Sequence, residues 1–152
     1  MNKIGLSSPH MEGHEINNIE DAYSKNHVFP LGEYVSQFES KILKTIGFED
    51  GHSLALNSGT SAIHLALKLC DISAGDEVIC SSFTFSASAN PILYEGGVPV
   101  FVDSEKETWN MCPKLLEKCI KDRLTKGKKP KAIILVHLYG MPAHSFSTFW
   151  ST

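Results

Sequence analysis

The residues with the clearest chemical potential form a small polar group in the stretch LALNSGTSAIHLAL, which runs from Leu54 to Leu67. This group lies between an apolar run and a helical pattern of apolar residues, so it marks the point at which a strand ends and a helix begins. Free backbone N–H groups and the positive end of the helix dipole point outward at such a junction. Glycine lets a phosphate approach the backbone without a Cβ in the way, and neighbouring hydroxyl groups add donors. We therefore predict an anion site, and its residues are Ser58, Gly59, Thr60 and Ser61.

The same residues also fit ordinary helix capping. Ser58 or Thr60 would serve equally as a plain N-cap, because serine and threonine are preferred at that position in any helix. The turn has neither the G-x-x-x-x-G-K-S/T pattern nor the G-x-G-x-x-G pattern, so a nucleoside triphosphate or a dinucleotide is not indicated. The sequence alone leaves capping and anion binding open.

A second candidate group follows the next predicted strand, in the segment CSSFTFSASANP. Ligands of an open α/β sheet bind beyond the carboxyl ends of the strands, so this segment is expected to lie at the same edge as the polar turn. An aromatic ring there can stack on a flat heterocycle, which contributes about 0.5 to 1.5 kcal/mol beyond burial. Phe85 is the candidate for stacking, whereas Phe83 is expected to pack under the following helix.

Short apolar runs alternate with helical patterns after the first third of the chain, and this alternation determines the fold class. Such strands pair in parallel through right-handed crossovers, which gives an open, mostly parallel α/β sheet with helices on both faces. The earlier residues carry a short predicted helix near Glu15–Lys25 and an amphipathic helix from Glu33 to about Gly47. The predicted core strands are Ser53–Leu56, Glu77–Cys80, Pro99–Val102 and Ala132–Leu138, and the predicted core helices are Ser61–Leu69, Ser86–Glu95 and Pro113–Leu124.

The composition is that of a soluble globular protein, with 152 residues of which 42% are hydrophobic and 20% charged. The net charge of -3 provides no global field that would attract nucleic acid or an anionic membrane surface. No apolar run approaches the ~20 residues that cross a bilayer, and the start lacks the apolar stretch of a signal peptide. We therefore expect a cytoplasmic protein without a nucleic-acid or membrane partner. The 4 cysteines show no C-x-x-C pairing, and we expect reduced structural thiols and no metal site.

Several ordered motifs together resemble one known family. They read NSGTSAIHLAL, GDEVICSSFTFSASAN, GGVPVFVDSEKETWNMCP and KAIILVHLYGMPA, and the stretch PLGEYVSQFE at residues 30 to 39 precedes them. In order and spacing they are similar to the amino-terminal part of the DegT/DnrJ/EryC1/StrS sugar aminotransferases. The resemblance covers about residues 3 to 143.

The resemblance implies the fold-type-I architecture of enzymes that use pyridoxal 5'-phosphate (PLP), assembled as a homodimer. It also implies the transfer of an amino group, with glutamate as the donor, to a keto group on a nucleotide-linked sugar. Gly59 and Thr60, with Ser61 beside them, match the segment whose amides hold the cofactor phosphate. Phe85 matches the aromatic residue that stacks on the pyridine ring, in agreement with the choice made from physical reasoning.

Further residues occupy family positions without an assigned chemical role. His137 and Tyr139 belong to the HLYG motif, and we expect His137 to be buried and hydrogen-bonded at a strand end. Asp103 and Asn110 are expected to stabilise turns and not to take part in catalysis.

The chain departs from the family pattern after the MPA segment at residues 141 to 143. The resemblance implies a much longer protein, in which an acidic residue pairs with the pyridine nitrogen and a lysine forms the Schiff base. Neither motif is found in these 152 residues, so we expect a truncated chain that holds no catalytic residue and is inactive alone. The expected division is a partial PLP-dependent transferase domain at 1–143, with a helical segment at 1–50 and an α/β core at 51–143, and a non-family tail at 144–152.

Two other functions stay open at this stage. Some relatives are PLP-dependent sugar dehydratases in which histidine replaces the lysine, and the position that distinguishes them has no counterpart in this sequence. Alternatively, the chain is non-catalytic and pairs with a full-length partner, to which it contributes Phe85 and the polar turn in a mixed dimer.

Overall fold

The computed structural model describes residues 9–29, 32–48 and 50–144. The chain divides into two compact units, Met1–Ala55 and Leu56–Thr152. Within the described ranges, no helix combines the length and the apolar character that crossing a bilayer requires. The tail predicted at 144–152 lies outside the described residues, apart from residue 144 itself.

The first unit contains two helices close to the predicted positions. Helix α1 spans Glu15–Ser24 and helix α2 spans Glu33–Ile46. Helix α2 ends at Gly47, whose φ of 68° is a left-handed conformation that glycine adopts at low cost. The Tyr34 hydroxyl donates a hydrogen bond of 2.9 Å to Asp21 Oδ2 and so connects the two helices. Neither helix buries a described residue, so the apolar stripe of α2 remains largely exposed.

The second unit is built around a parallel sheet of three strands in the order β2, β1, β3. The strands are β1 at Glu77–Ser81, β2 at Val98–Val102 and β3 at Ala132–Ile134. In the register, Ile79 of β1 lies opposite Val100 of β2 and Ile133 of β3. Parallel neighbours need crossover connections that run over the faces of the sheet, so this pairing confirms the predicted α/β class.

Helices cover both faces of this sheet. They are α3 at Gly59–Leu69, α4 at Asn90–Tyr94 and α5 at Pro113–Thr125, and a 3-10 turn at Ser86–Ser88 precedes α4. The side chains of β1 alternate between the faces, as the pleat of a strand requires. Val78 and Cys80 pack with Leu67 of α3, whereas Ile79 packs with Leu116 of α5. The central strand is therefore buried on both faces, which is typical of parallel sheets.

Three predicted elements differ from the observed ones. Residues Ser53–Leu56 form no strand, because the Ala55 N–H donates to Glu39 Oε1 at 2.8 Å and not to a neighbouring strand. Strand β3 ends at Ile134, whereas the predicted strand continued to Leu138. The predicted helix at 86–95 splits into the 3-10 turn and α4, since Pro91 has no N–H and favours the first turn of a new helix.

The cysteines differ in burial, and this difference predicts an order of reactivity. Cys70 is exposed, whereas Cys80 is buried in β1, where burial raises the pKa of its thiol to about 11. Because the thiolate is the nucleophile, we expect an alkylating reagent at neutral pH to label Cys70 first and Cys80 only after unfolding. Peptide mass spectrometry after timed labelling measures the order. Equal labelling of both thiols in the folded chain would contradict the packing of β1.

Candidate functional site

The polar turn predicted as an anion site is the amino-terminus of α3. Ser58 is extended, with φ of -161° and ψ of 157°, and its Oγ accepts a hydrogen bond of 3.1 Å from the Ser61 N–H. The carbonyl oxygen of Ser58 also accepts a hydrogen bond of 3.1 Å from the Ala62 N–H. Of the two residues that the sequence offered as caps, Ser58 has this role.

The first two N–H groups of α3 remain open to a ligand. Within the described residues, the amides of Gly59 and Thr60 meet no backbone or side-chain acceptor. Gly59 is exposed, and no heavy atom of the described residues lies within 4 Å of the position that a Cβ would take. An anion therefore has access to two donors at the positive end of an 11-residue helix.

Ser61 is hydrogen-bonded within the turn. Its N–H donates to Ser58 Oγ, and its hydroxyl donates to Asn57 Oδ1 at 2.8 Å. The oxygen of the same hydroxyl lies 3.0 Å from Ser58 Oγ. Ser61 thus holds the turn in the shape that leaves the two preceding amides open, and its direct contact with a phosphate stays a prediction.

A pocket of about 600 Å³, here called the α3 pocket, joins the turn to the predicted aromatic residue. Gly59, Thr60 and Phe85 all line it, although Phe85 is distant from the turn in sequence. The Phe85 ring is 79% exposed and can accept a stacking partner. Among the residues that the structure describes, those that line this pocket have uncharged side chains. The pocket therefore combines backbone donors for an anion with an open ring for a flat heterocycle.

Phe83 does not pack under a helix, so that prediction was wrong. Its side chain is 48% exposed, and its ring lies against Trp109 with the ring centroids 5.7 Å apart. The predicted helix begins instead as a 3-10 turn of 3 residues, which offers little surface to cover a ring. Phe83 lines the α3 pocket as well.

His137 and Tyr139 lie in the irregular segment after β3. The prediction of a buried His137 was wrong, because the strand ends at Ile134 and the residues that follow leave the sheet. The exposed His137 is still hydrogen-bonded, since its Nδ1 accepts from the Ala143 N–H at 2.9 Å. Tyr139 is 94% exposed and lines the α3 pocket.

Asp103 and Asn110 stabilise loops, as predicted. The Asp103 carboxylate accepts a hydrogen bond of 2.8 Å from the Ser104 N–H. The buried Asn110 side chain donates from Nδ2 to the Met141 carbonyl at 3.0 Å, and its Oδ1 accepts from the Leu138 N–H at 2.9 Å. Asn110 therefore joins the segment before α5 to the HLYG segment.

A second pocket, of about 640 Å³, is here called the aromatic pocket. It is lined by Phe83, Trp109 and Tyr139 among others. Trp109, which is 60% exposed, was not among the site residues predicted from the sequence. Its position directly before Asn110, which was expected to stabilise a turn, was the signal in the sequence that could have indicated an aromatic residue at the site.

The model of the DegT/DnrJ/EryC1/StrS aminotransferase family matches residues 9–148 of the chain. The chain belongs to this family. The resemblance found in the sequence motifs is thereby confirmed. The match to the DegT/DnrJ/EryC1/StrS family also includes residues 144–148, so the predicted family boundary after residue 143 stays a prediction.

Two curated relatives show how much of a family member this chain represents. EpsN of Bacillus subtilis is 50% identical over 141 residues, which are 93% of this chain and 36% of EpsN. GDP-perosamine synthase of Escherichia coli O157:H7 is 37% identical over 142 residues, which are 93% of this chain and 37% of the synthase. The chain therefore spans little more than a third of the length of these relatives.

A solved structure of the family supports the same fold. Spr1654 from Streptococcus pneumoniae, in its PLP form, matches with a TM-score of 0.73 and 28% identity over 93% of this chain and 34% of Spr1654. The predicted fold class, an incomplete portion of a PLP-dependent aminotransferase with a parallel sheet, is confirmed.

Aminotransferases of the DegT/DnrJ/EryC1/StrS family bind PLP, and the residues of the α3 pocket fit this cofactor. The phosphate of PLP needs donors, and the open amides of Gly59 and Thr60 are suited to that task. The pyridine ring needs a flat apolar partner, and the Phe85 ring is exposed in the same pocket. The predicted phosphate and stacking residues thus lie together, with Ser61 beside them in the turn.

Proposed function

We propose that this chain is the cofactor-binding part of a PLP-dependent aminotransferase that acts on a keto group of a nucleotide-linked sugar. The observation that carries the proposal is the α3 pocket, which two open amides and one open aromatic ring line together. The family match supports the reaction class, and the name of the relative GDP-perosamine synthase supports a nucleotide-linked sugar as the substrate.

Each pocket residue has a separate task in this proposal. The N–H groups of Gly59 and Thr60 hold the phosphate, and a hydrogen bond to a charged group contributes about 1.5 to 3 kcal/mol. Phe85 stacks on the pyridine ring, fixes its plane and keeps water from one face. PLP, when bound, supplies the electron sink that transamination needs. Ser61 acts indirectly, because it holds the turn that presents the amides.

The proton-transfer groups of the reaction do not belong to this pocket. Among the described residues, neither a lysine nor a carboxylate lines it. Lys68 of α3 does not line the pocket either, and its Nζ lies 3.1 Å from Glu95 Oε2 in an ion pair. We therefore propose that these residues bind and orient the cofactor but do not catalyse transamination by themselves.

Three finer expectations belong to the same proposal: glutamate as the amino donor, a homodimer as the assembly and the cytoplasm as the location. A sugar dehydratase of the same family would use the α3 pocket for the same cofactor. Binding of the phosphate and the ring therefore tests the cofactor site in either case, and the fate of the sugar distinguishes the two reactions.

Replacing Phe85 by alanine tests the stacking role. We expect the affinity for pyridoxine 5'-phosphate to fall about two- to tenfold, because stacking contributes about 0.5 to 1.5 kcal/mol. This probe carries a pyridine ring and a phosphate but no aldehyde, so it cannot form Schiff bases with surface lysines. Isothermal titration calorimetry measures the dissociation constant.

Two matched variants make the stacking test specific. Phe85→Tyr keeps the ring and should bind the probe nearly as well as the unaltered chain. Phe101→Ala removes a ring that is 55% exposed on β2 but does not line the α3 pocket, so it should leave the affinity unchanged. An unchanged affinity in Phe85→Ala would remove the ring from the proposed site.

A further inference from the structure

The aromatic pocket adjoins the α3 pocket and shares Phe83, Leu138 and Tyr139 with it. Its volume of about 640 Å³ lies in the range of small-molecule sites. Trp109 and Tyr139 both line it, and their side chains are 60% and 94% exposed. Two large rings with so little burial contribute little to the core, and their grouping around one pocket indicates a binding surface.

The backbone that presents these two rings adopts an unfavourable conformation. Trp109 has a φ of 64° and Tyr139 a φ of 50°, in the left-handed region that bulky residues rarely occupy. The buried Asn110 holds both segments, because it follows Trp109 and its Oδ1 accepts from the N–H of Leu138, which precedes Tyr139. Strain that the surrounding contacts maintain in this way is typical of ligand-binding segments.

The charge at the aromatic pocket favours an uncharged ligand group. Within the described part of the chain, Glu107 is the charged residue that lines it, and a carboxylate repels phosphate groups. The open amides that suit an anion belong to the α3 pocket instead, at Gly59 and Thr60. The aromatic pocket therefore suits the flat, uncharged part of a ligand whose reacting part lies at the α3 pocket.

We propose that the aromatic pocket binds the nucleobase of the nucleotide-linked sugar, with Trp109 and Tyr139 as its stacking partners. This inference rests on the proposed function, which supplies the substrate class. Stacking on aromatic side chains accepts any base, because every base has a π face. Trp109 and Tyr139 thus provide affinity for the nucleotide part of the substrate. The sugar then extends towards the α3 pocket, past the residues that line both pockets.

Replacing Trp109 by alanine in the full chain tests this proposal. We expect the affinity for guanosine 5'-diphosphate to fall about tenfold through the loss of one stacking partner. Calorimetry gives the dissociation constant, and saturation transfer to the base protons in NMR shows whether the base is the contact. Trp109→Phe keeps a ring and should restore most of the affinity. Tyr94→Ala removes a ring that is 59% exposed outside both pockets and should change nothing.

The following outcomes would overturn the nucleobase pocket. One is an equal affinity for guanosine 5'-diphosphate in the unaltered chain and in Trp109→Ala. Another is full displacement of guanosine 5'-diphosphate by inorganic diphosphate, which would show that the phosphates, and not the base, provide the affinity. The proposal would also be overturned if guanosine 5'-diphosphate did not bind the unaltered chain under conditions in which pyridoxine 5'-phosphate binds. Circular dichroism checks that each variant is folded, and Tyr139→Ala supplies the same test should Trp109→Ala unfold.

The two probes keep this inference separate from the proposed function. Binding of pyridoxine 5'-phosphate that depends on Phe85, without binding of the nucleotide, would refute the nucleobase pocket alone. Binding of the nucleotide that depends on Trp109, without binding of pyridoxine 5'-phosphate, would refute the cofactor role of the α3 pocket and leave the nucleobase pocket standing.

Discussion

Replacing Asn110 by leucine is expected to lower the free energy of unfolding by about 1 to 3 kcal/mol. Leucine has a similar volume but neither a donor nor an acceptor. The change leaves the half-buried Leu138 N–H without its acceptor, and a buried polar group without a partner costs about 1 to 3 kcal/mol. The Met141 carbonyl also loses its donor, but Met141 is exposed, so water replaces that hydrogen bond at little cost. Urea denaturation followed by circular dichroism measures the change.

Asn90→Leu is the matched control for this stability measurement. Asn90 is exposed at the start of α4, and substitutions at such surface positions usually change stability by less than about 0.5 kcal/mol. Asn110→Leu should also weaken nucleotide binding, since Asn110 holds the segments that carry Trp109 and Tyr139. A loss of stability no larger than that of Asn90→Leu would mean that these hydrogen bonds do not hold the two loops.

Replacing Gly59 by proline is expected to weaken the binding of pyridoxine 5'-phosphate about ten- to hundredfold. Proline removes one N–H donor, and a hydrogen bond to a charged group contributes about 1.5 to 3 kcal/mol. The substitution suits the backbone, because Gly59 is the first residue of α3 and Ser58 is extended, as a residue before proline must be. Calorimetric titration of the chain with the probe measures the loss.

Gly59→Ala separates the lost donor from added bulk. Alanine keeps the N–H, and a Cβ at this position meets no heavy atom within 4 Å in the part of the chain that the structure describes. We therefore expect the alanine variant to bind the probe almost as well as the unaltered chain. Equal losses in the alanine and proline variants would show that a bulkier residue obstructs the phosphate, and the donor role of Gly59 would then be wrong.

Much of the fold could be predicted because its determinants are local. Strand β1 carries the apolar run Val78–Cys80, as a buried parallel strand requires, and the helices α3 and α5 carry apolar residues at helical spacing. Strand β2 is also apolar in sequence, although its residues Val98 and Phe101 are exposed. The amino-terminus of α3 was predictable for the same reason, since Ser58 caps the helix through contacts within four residues of itself. Gly59 and Phe85 were placed at one edge by the rule for parallel sheets, and they do line one pocket.

The features that escaped prediction depend on contacts between distant segments. Asn110 and Leu138 are 28 residues apart, and nothing local in either segment indicates their hydrogen bond. Trp109 and Tyr139, next to these two residues, adopt left-handed conformations, and no local pattern in the motifs predicts the aromatic pocket that both of them line. Residues 53–56 have an apolar pattern that fits a strand, but a strand also needs a partner, and the pattern does not reveal one.

The backbone amide signals of Gly59 and Thr60 report most directly on whether the end of α3 binds the cofactor phosphate. We predict that titration of the ¹⁵N-labelled chain with pyridoxine 5'-phosphate shifts these two signals more than any others. Pyridoxine without the phosphate should leave both signals in place at the same concentration. If both signals stay in place while calorimetry shows that pyridoxine 5'-phosphate is bound, the phosphate lies elsewhere and the proposed cofactor site is wrong.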